Sequence, residues 1–223
     1  MAIELETKDC THLSDAELAE MADVGAGSAS HFEAGLLSKQ AEAWVLVTLA
    51  RDSGKLKGFA FSTLERIGGT PCILVGLAFV RRSSKRDTVL RGIMNDLYRR
   101  AVLAFPDEDV VVGTRFVYAS GYEAFRMLQD IVPRPGHKAS GEERAWGRRL
   151  AKRFGVENGA YNERSFAATG EGSFPCVFDH ESLKPESIDG GIRAQFDILD
   201  AERGDSLIAF GWAMAEDLAK YGD

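Results

Sequence analysis

Cysteine is scarce in this chain: Cys10, Cys72 and Cys176 are the three among 223 residues. Odd in number and widely spaced, they match neither a disulfide framework nor a zinc-ligand spacing, which points to a reducing, cytoplasmic compartment. The four histidines, His12, His31, His137 and His180, stand apart without HxxxH or CxxC partners. They read as surface or capping residues, and no metal is expected. Long apolar runs are missing as well. None approaches the roughly 20 residues that cross a bilayer, and the opening MAIELETKDC is acidic, without the apolar centre of a signal peptide. Positive charge is outweighed: 27 Lys and Arg face 34 Asp and Glu, a formal net charge of −7. That balance argues against nucleic-acid binding through counterion release. No serine stands in a GxSxG context, and neither Gly68-Gly69 nor Gly190-Gly191 has the spacing of a phosphate loop. What remains is the 45% hydrophobic and 27% charged composition of an ordinary globular protein.

The patterning supplies elements. Ser14 with Glu17 three residues on is a capping box, so a helix is expected over 15–26. Residues 43–50 (AWVLVTLA) and 57–64 (KGFAFSTL) read as paired strands, with Asp52-Ser53-Gly54 supplying the turn between them. A glycine turn, IGGT, leads into a third strand at 71–80 (PCILVGLAFV). A long amphipathic helix follows at 88–105, then a strand at 110–117 (VVVGTRFV). With a helix between them, the strands at 71–80 and 110–117 are expected to lie parallel through a right-handed crossover. Ser120 is positioned to cap a second helix over 121–129.

Beyond the breaker VPRPG the chain is less legible. Residues 141–154 read as a helix with a solvated, charged surface, its acids first and its bases last, as the helix dipole favours. Residues 155–175 read as a loop or a partner-contacting arm, and 175–179 as a short strand. Residues 205–221 read as a helix, since Leu207, Phe210, Met214, Leu218 and Tyr221 recur at helical spacing. Polar loops beside one apolar helix cannot bury a core alone. A division is therefore expected between residues 1–136 and a C-terminal helical or irregular extension, 137–223, packed on the core or on a second subunit. Leu207, Phe210, Trp212 and Met214 spread around that helix, which favours a homodimer.

The most informative stretch runs from the strand at 71–80 through the loop 81–87 (RRSSKRD) into the long helix. A buried strand feeding a basic loop at a helix N-terminus is suited to anions, because free backbone N–H groups and the helix dipole point there. The opposing reading is a helix start capped by Asp87, with Arg81, Arg82, Lys85 and Arg86 in solvent.

The order helix, hairpin, strand, basic loop, helix, strand, helix resembles the GNAT acetyltransferase superfamily, over about residues 13–135. The resemblance implies an α+β fold with a mixed, mainly antiparallel sheet flanked by helices. It also implies acetyl-CoA as cofactor and a small-molecule or peptide amine as substrate. In that family a loop of Arg or Gln, two residues, Gly, one residue, then Gly or Ala holds the pyrophosphate. Here Lys85 keeps the basic first position, while Thr88 and Leu90 stand where the small residues belong. The implied cofactor residues are Arg81, Arg82, Lys85, Arg86 and Thr88 for the phosphates, with the backbone of Phe79 and Val80 for the pantetheine arm. Ala124 falls in register with the second family landmark, but Gly121 replaces its asparagine and Leu128 the tyrosine that protonates the thiolate. Tyr122 and Tyr118 lie nearby as substitutes, and Glu65 is the candidate base. Two functions follow. One is an acyl-CoA-dependent N-acyltransferase; the other is a catalytically degenerate module of the same fold that binds a ligand or a protein without acyl transfer.

Overall fold

The computed structural model describes residues 3–26, 32–172 and 177–222. Its strands are β1 (Glu4–Asp9), β2 (Leu46–Asp52), β3 (Lys55–Ile67), β4 (Thr70–Val80), β5 (Val110–Phe116), β6 (Gln129–Val132), β7 (Tyr161–Asn162), β8 (Ala167–Ala168), β9 (Phe178–Asp179) and β10 (Ser206–Ala213). The helices are α1 (Asp15–Gly25), α2 (Ala34–Ala43), α3 (Arg86–Ala104), α4 (Gly141–Arg153), α5 (Gly190–Ala194) and α6 (Ala215–Leu218). One sheet takes all ten strands in the order β1-β2-β3-β4-β9-β5-β10-β8-β7, with β6 also on β10. Parallel pairs occur only among β4, β5 and β9; every other pair is antiparallel. The fold is thus α+β with a mixed, mainly antiparallel sheet. No described helix is long and apolar enough to cross a membrane.

Local chemistry explains the first half. The Ser14 hydroxyl accepts from the Glu17 amide at 3.3 Å, and the Glu17 carboxylate accepts from the Ser14 amide at 2.9 Å, fixing the start of α1. Ser53 and Gly54 take the positive φ values, 53° and 77°, that a tight hairpin between β2 and β3 requires. In β4 the register against β3 slips by one residue between Val75 and Ala78. Such a bulge bends its strand, and Gly76 sits in it with the Trp44 indole so close that an added Cβ would lie 2.2 Å from Cε2. β4 pairs directly with β5 only at Cys72, Ile73 and Leu74. Past the bulge the two strands part.

The C-terminal half departs from the sequence expectation. Residues 206–213 form a central strand rather than a helix, paired with β5 from Leu207↔Phe116 to Ala213↔Val110. The run SLIAFGWA is buried at every position but Trp212, and an apolar stretch buried on both faces carries no period that separates strand from helix. Leu207 and Phe210, taken as signs of a homodimer, are interior residues of the sheet. Residues on both sides of position 136 contribute to one hydrophobic cluster, which runs from Cys10 to Leu218. Helix α4 is capped by a Ser140–Glu143 box and keeps the expected solvated face at Glu142, Arg148, Arg149 and Lys152, but its other face is interior. It buries Trp146, Leu150 and Ala151, and Leu150 Cδ2 would lie 2.9 Å from a Cβ on Gly113 of β5. Ser120 caps no α-helix: Ala119–Phe125 is a 3-10 turn with Tyr118 at its N-cap. Cys176, His31 and the first part of the expected strand 175–179 lie outside the described residues.

Candidate functional site

The widening between β4 and β5 is where the resemblance places a cofactor. In this chain it holds β9. The Ala78 amide donates to the Val177 carbonyl at 3.1 Å, Ala78 and Phe79 pair in parallel with Phe178 and Asp179, and Phe116 pairs with Phe178 from the other side. Phe178 is 1% exposed, its ring edge-on to Phe116 at 5.7 Å. The backbone of Phe79 that pantetheine was expected to meet is therefore engaged by the chain itself. Val80, buried next to it, faces Gly58 on β3.

The basic loop turns toward the same segment. The Arg82 guanidinium donates through Nε to the Glu181 carboxylate, and its Nη2 lies 3.7 Å from Asp179 Oδ1. Arg86, only 7% exposed, donates through Nη1 to the backbone carbonyls of Glu181 and Ser182. Lys85 is drawn away to Asp52 at 2.7 Å. Arg81 and Thr88 are exposed, and Lys85, not Asp87 or Thr88, is the N-cap residue of α3, without a side-chain cap bond. Neither sequence reading of the loop describes this arrangement: Arg82, Lys85 and Arg86 are neither free for a ligand nor simply in solvent. Burial works against the Arg82–Glu181 pair, but the hydrogen bond dominates, holding the Glu181 carboxyl below the usual carboxylate range and raising Arg82.

His180, read from sequence as a surface residue, is fully buried. Its Nε2 lies 2.9 Å from Glu123 Oε2 and 3.8 Å from Asp87 Oδ1, while its carbonyl accepts from the buried Ser120 hydroxyl at 2.7 Å. Burial pulls the imidazole below its ordinary pKa despite the two carboxylates. Asp87, Glu123 and His180 bring three ligand atoms within 4.8 Å of one another. A metal-bound histidine normally passes its second ring N–H to an acceptor. His180 Nδ1 has no hydrogen-bond partner, and Glu123 Oε1 already accepts from Ser182 and Arg126. The cluster reads as a clamp on the 180–182 backbone rather than a metal centre.

The expected catalytic groups are not brought together. Tyr122 is buried, its hydroxyl donating to the Pro133 carbonyl at 2.8 Å, and burial raises its pKa. Tyr118 lies beside the Arg82 guanidinium, 5.8 Å from ring centroid to Cζ; burial raises its pKa too. Glu65 makes two hydrogen bonds to Arg153, at 2.8 and 3.2 Å. It stands opposite Cys72, some six residues along β4 from the widening, roughly 20 Å at strand rise. Gly121, where an asparagine was expected, is needed for packing: a Cβ there would lie 2.2 Å from the Phe116 ring. Beside the clamp, between α3 and the 3-10 turn, a cavity of about 380 Å³ is walled by Leu90, Met94, Tyr98, Met127 and Tyr221, with Asp87 and Glu123 also lining it.

A bulged β4, a short parallel contact with β5, a widening beyond it and a crossover helix rising from a basic loop together decide the architecture. The fold is of the GNAT type. No protein-family model matches the chain, and no curated protein matches it. Among solved structures it is similar to the ribosomal-protein-S18-alanine N-acetyltransferase from Escherichia coli, at 10% identity over 95% of each chain and a TM-score of 0.45. It is similar to the ribosomal-protein-alanine N-acetyltransferase from Brucella melitensis biovar Abortus 2308, at 17% identity over 50% of this chain and 79% of that one, TM-score 0.38. A third is an aminoglycoside N-acetyltransferase solved with CoA, at 14% identity over 49% and 75%, TM-score 0.37. At these identities and TM-scores the likeness brings neither a substrate nor a role to this chain.

Proposed function

We propose that this chain is a GNAT-fold module that binds a ligand or a protein partner without transferring an acyl group. The observation that carries this reading is the occupied widening: β9 pairs with both β4 and β5 where a pantetheine arm would lie. Three further features support it. The loop has no glycine to let a phosphate approach its amides closely. Asp87 and Glu123 set negative charge beside α3, where a phosphorylated ligand would pass. Tyr122 and Glu65 are spent on Pro133 and Arg153. The cavity between α3 and residues 119–125 offers a place for a small ligand, with apolar walls and acidic groups at its lining. Calorimetric titration with CoA and acetyl-CoA, together with a thiol-release assay over a panel of amines, tests this. Neither binding below about millimolar nor turnover is expected; micromolar binding by the unaltered protein would overturn the reading.

A second reading has its own observation. Arg82 and Arg86 persist at the head of α3 beside a true β4–β5 widening, the equipment of an acyl-CoA-dependent N-acyltransferase acting on a small-molecule or peptide amine. It requires residues 177–182 to leave.

A further inference from the structure

We infer that the cavity between α3 and residues 119–125 is a site for an apolar guanidinium or amidinium, an aryl or alkyl body carrying one planar cation. The inference rests on the reading of the chain as a ligand-binding module and names the class of that ligand.

Size and walls set the body. The space measures about 380 Å³, more than twice the roughly 150 Å³ of an apolar cavity that takes up benzene, so a ring with a short arm fits. Leu90, Met94 and Tyr98 wall it from α3, with Met127 and Tyr221 completing the apolar lining. The Tyr98 and Tyr221 rings lie 5.3 Å apart between centroids. Aromatic rings and thioethers are polarizable surfaces that suit a flat cation or a ring.

Charge decides what the body carries. Asp87 and Glu123 both line the space. Asp87 Oδ1 is buried without a hydrogen-bond partner, and an acceptor shut away from water and left unmade is costly. Glu123, its side chain 11% exposed, accepts from Ser182 and Arg126 through Oε1, while Oε2 meets only His180 and keeps a lone pair. An oxygen of each carboxylate lies within 4.8 Å of the other, close enough for one planar cation with several N–H groups to donate to both.

The positive groups nearby do not cancel this pair. The Arg126 side chain is 70% exposed and Arg91 is exposed too, so water and salt screen both. Arg86 is engaged with the carbonyls of Glu181 and Ser182. His180 is held toward its neutral form by burial. A guanidinium is also more weakly hydrated than an ammonium, so it loses less on entering an apolar space.

The test titrates the full chain by calorimetry with phenethylguanidine and benzamidine, and with phenethylamine, neutral phenylethanol and anionic phenylpropionate as bodies of similar size. The guanidine and the amidine should bind below about 1 mM, the amine less tightly, and the neutral and anionic probes at least about tenfold more weakly than the guanidine. Asp87→Asn should weaken the guanidine by about tenfold and leave phenylethanol unchanged. Arg126→Ala, which frees Glu123 of a competitor, should tighten the guanidine. With methyl-labelled methionine, the Met94 and Met127 signals should shift on titration, and that of Met21, buried under α1, should stay in place. If Asp87→Asn does not fold, the ranking of probes and the methyl shifts decide alone. A neutral or anionic probe binding as tightly as the guanidine, folded Asp87→Asn binding it unchanged, or Met94 and Met127 signals that do not move would overturn the inference and leave the ligand-binding reading standing. Micromolar CoA binding by the unaltered protein would instead overturn that earlier reading.

Discussion

The two flanks of β5 are filled by later parts of the same chain, in opposite ways. On one side β10 runs antiparallel for seven paired positions, almost wholly apolar, with α4 packed across it. On the other, a strap of residues 177–182 contributes the two residues of β9 and is fastened by arginines, a histidine clamp and one phenylalanine. The first filling is part of the core; the second has the make-up of a bound ligand. Apolar ladders resist water everywhere along their length, whereas a short strand tied by charges opens at the charges. Position in the sheet therefore does not set a strand's permanence. Its side chains do.

The largest effect separating the two flanks is expected from Phe210→Ala in β10. The ring is 1% exposed, and truncating a buried phenylalanine typically costs about 3–5 kcal/mol. Urea unfolding should show the midpoint fall for the whole molecule in one transition; a loss confined to one local probe would erase the contrast. Next comes Gly76→Ala in the bulge, where the new methyl meets the Trp44 indole at 2.2 Å. Overpacking of this kind costs about 1–3 kcal/mol, read as a lower thermal midpoint with changed tryptophan emission. Unaltered emission and stability would mean that Trp44 is not seated there.

Acidification should act on the strap before it acts on β10. Burial lowers the His180 pKa in the fold, and Arg82 lowers that of Glu181. Both groups bind protons more readily when released, so strap docking is complete above about pH 6.5 and weakens as pH falls below it, first through His180 and then, below about 4.5, through Glu181. Glu123, Asp87 and Arg86 face the imidazole and set how far the first step extends. Exchange of strap amides followed from pH 7.5 to 5 should accelerate beyond the intrinsic pH effect, and His180→Gln should flatten the response. A response that persists in His180→Gln assigns it elsewhere. The smallest effect is expected from Lys85→Ala. Its ion pair with Asp52 is surface-exposed, so the stability change should stay below about 1 kcal/mol. A larger loss would show the loop to be more integral than the strap it faces.

The contrast also marks how far the sequence could be read. Helix α1 was legible because Ser14 and Glu17 are three residues apart, and the β2–β3 hairpin because Asp52-Ser53-Gly54 closes it locally. The order β4, α3, β5 was legible for the same reason: strand, loop and helix follow one another with clear periods. β10 was misread because a strand buried on both faces shows the same residue types as a buried helix. The strap was out of reach for a different cause. Arg82 and Arg86 announce an anion, and the anion is real, but it lies 99 residues along the chain at Glu181. Nothing local distinguishes a basic loop waiting for phosphate from one waiting for its own carboxylates. His180 gave no pattern either, since its partners Asp87 and Glu123 come from two other elements.

The place of β10 has a consequence for how the molecule is made. Phe116 finds its partner Leu207 only after roughly ninety more residues have been synthesised, at about 5–20 residues per second. Until then β5 presents its row of amides and carbonyls, flanked by apolar side chains, to whatever is near. The nascent protein thus passes several seconds with the middle of its sheet open, and the moment of closure belongs to a strand made roughly ninety residues after the one it covers.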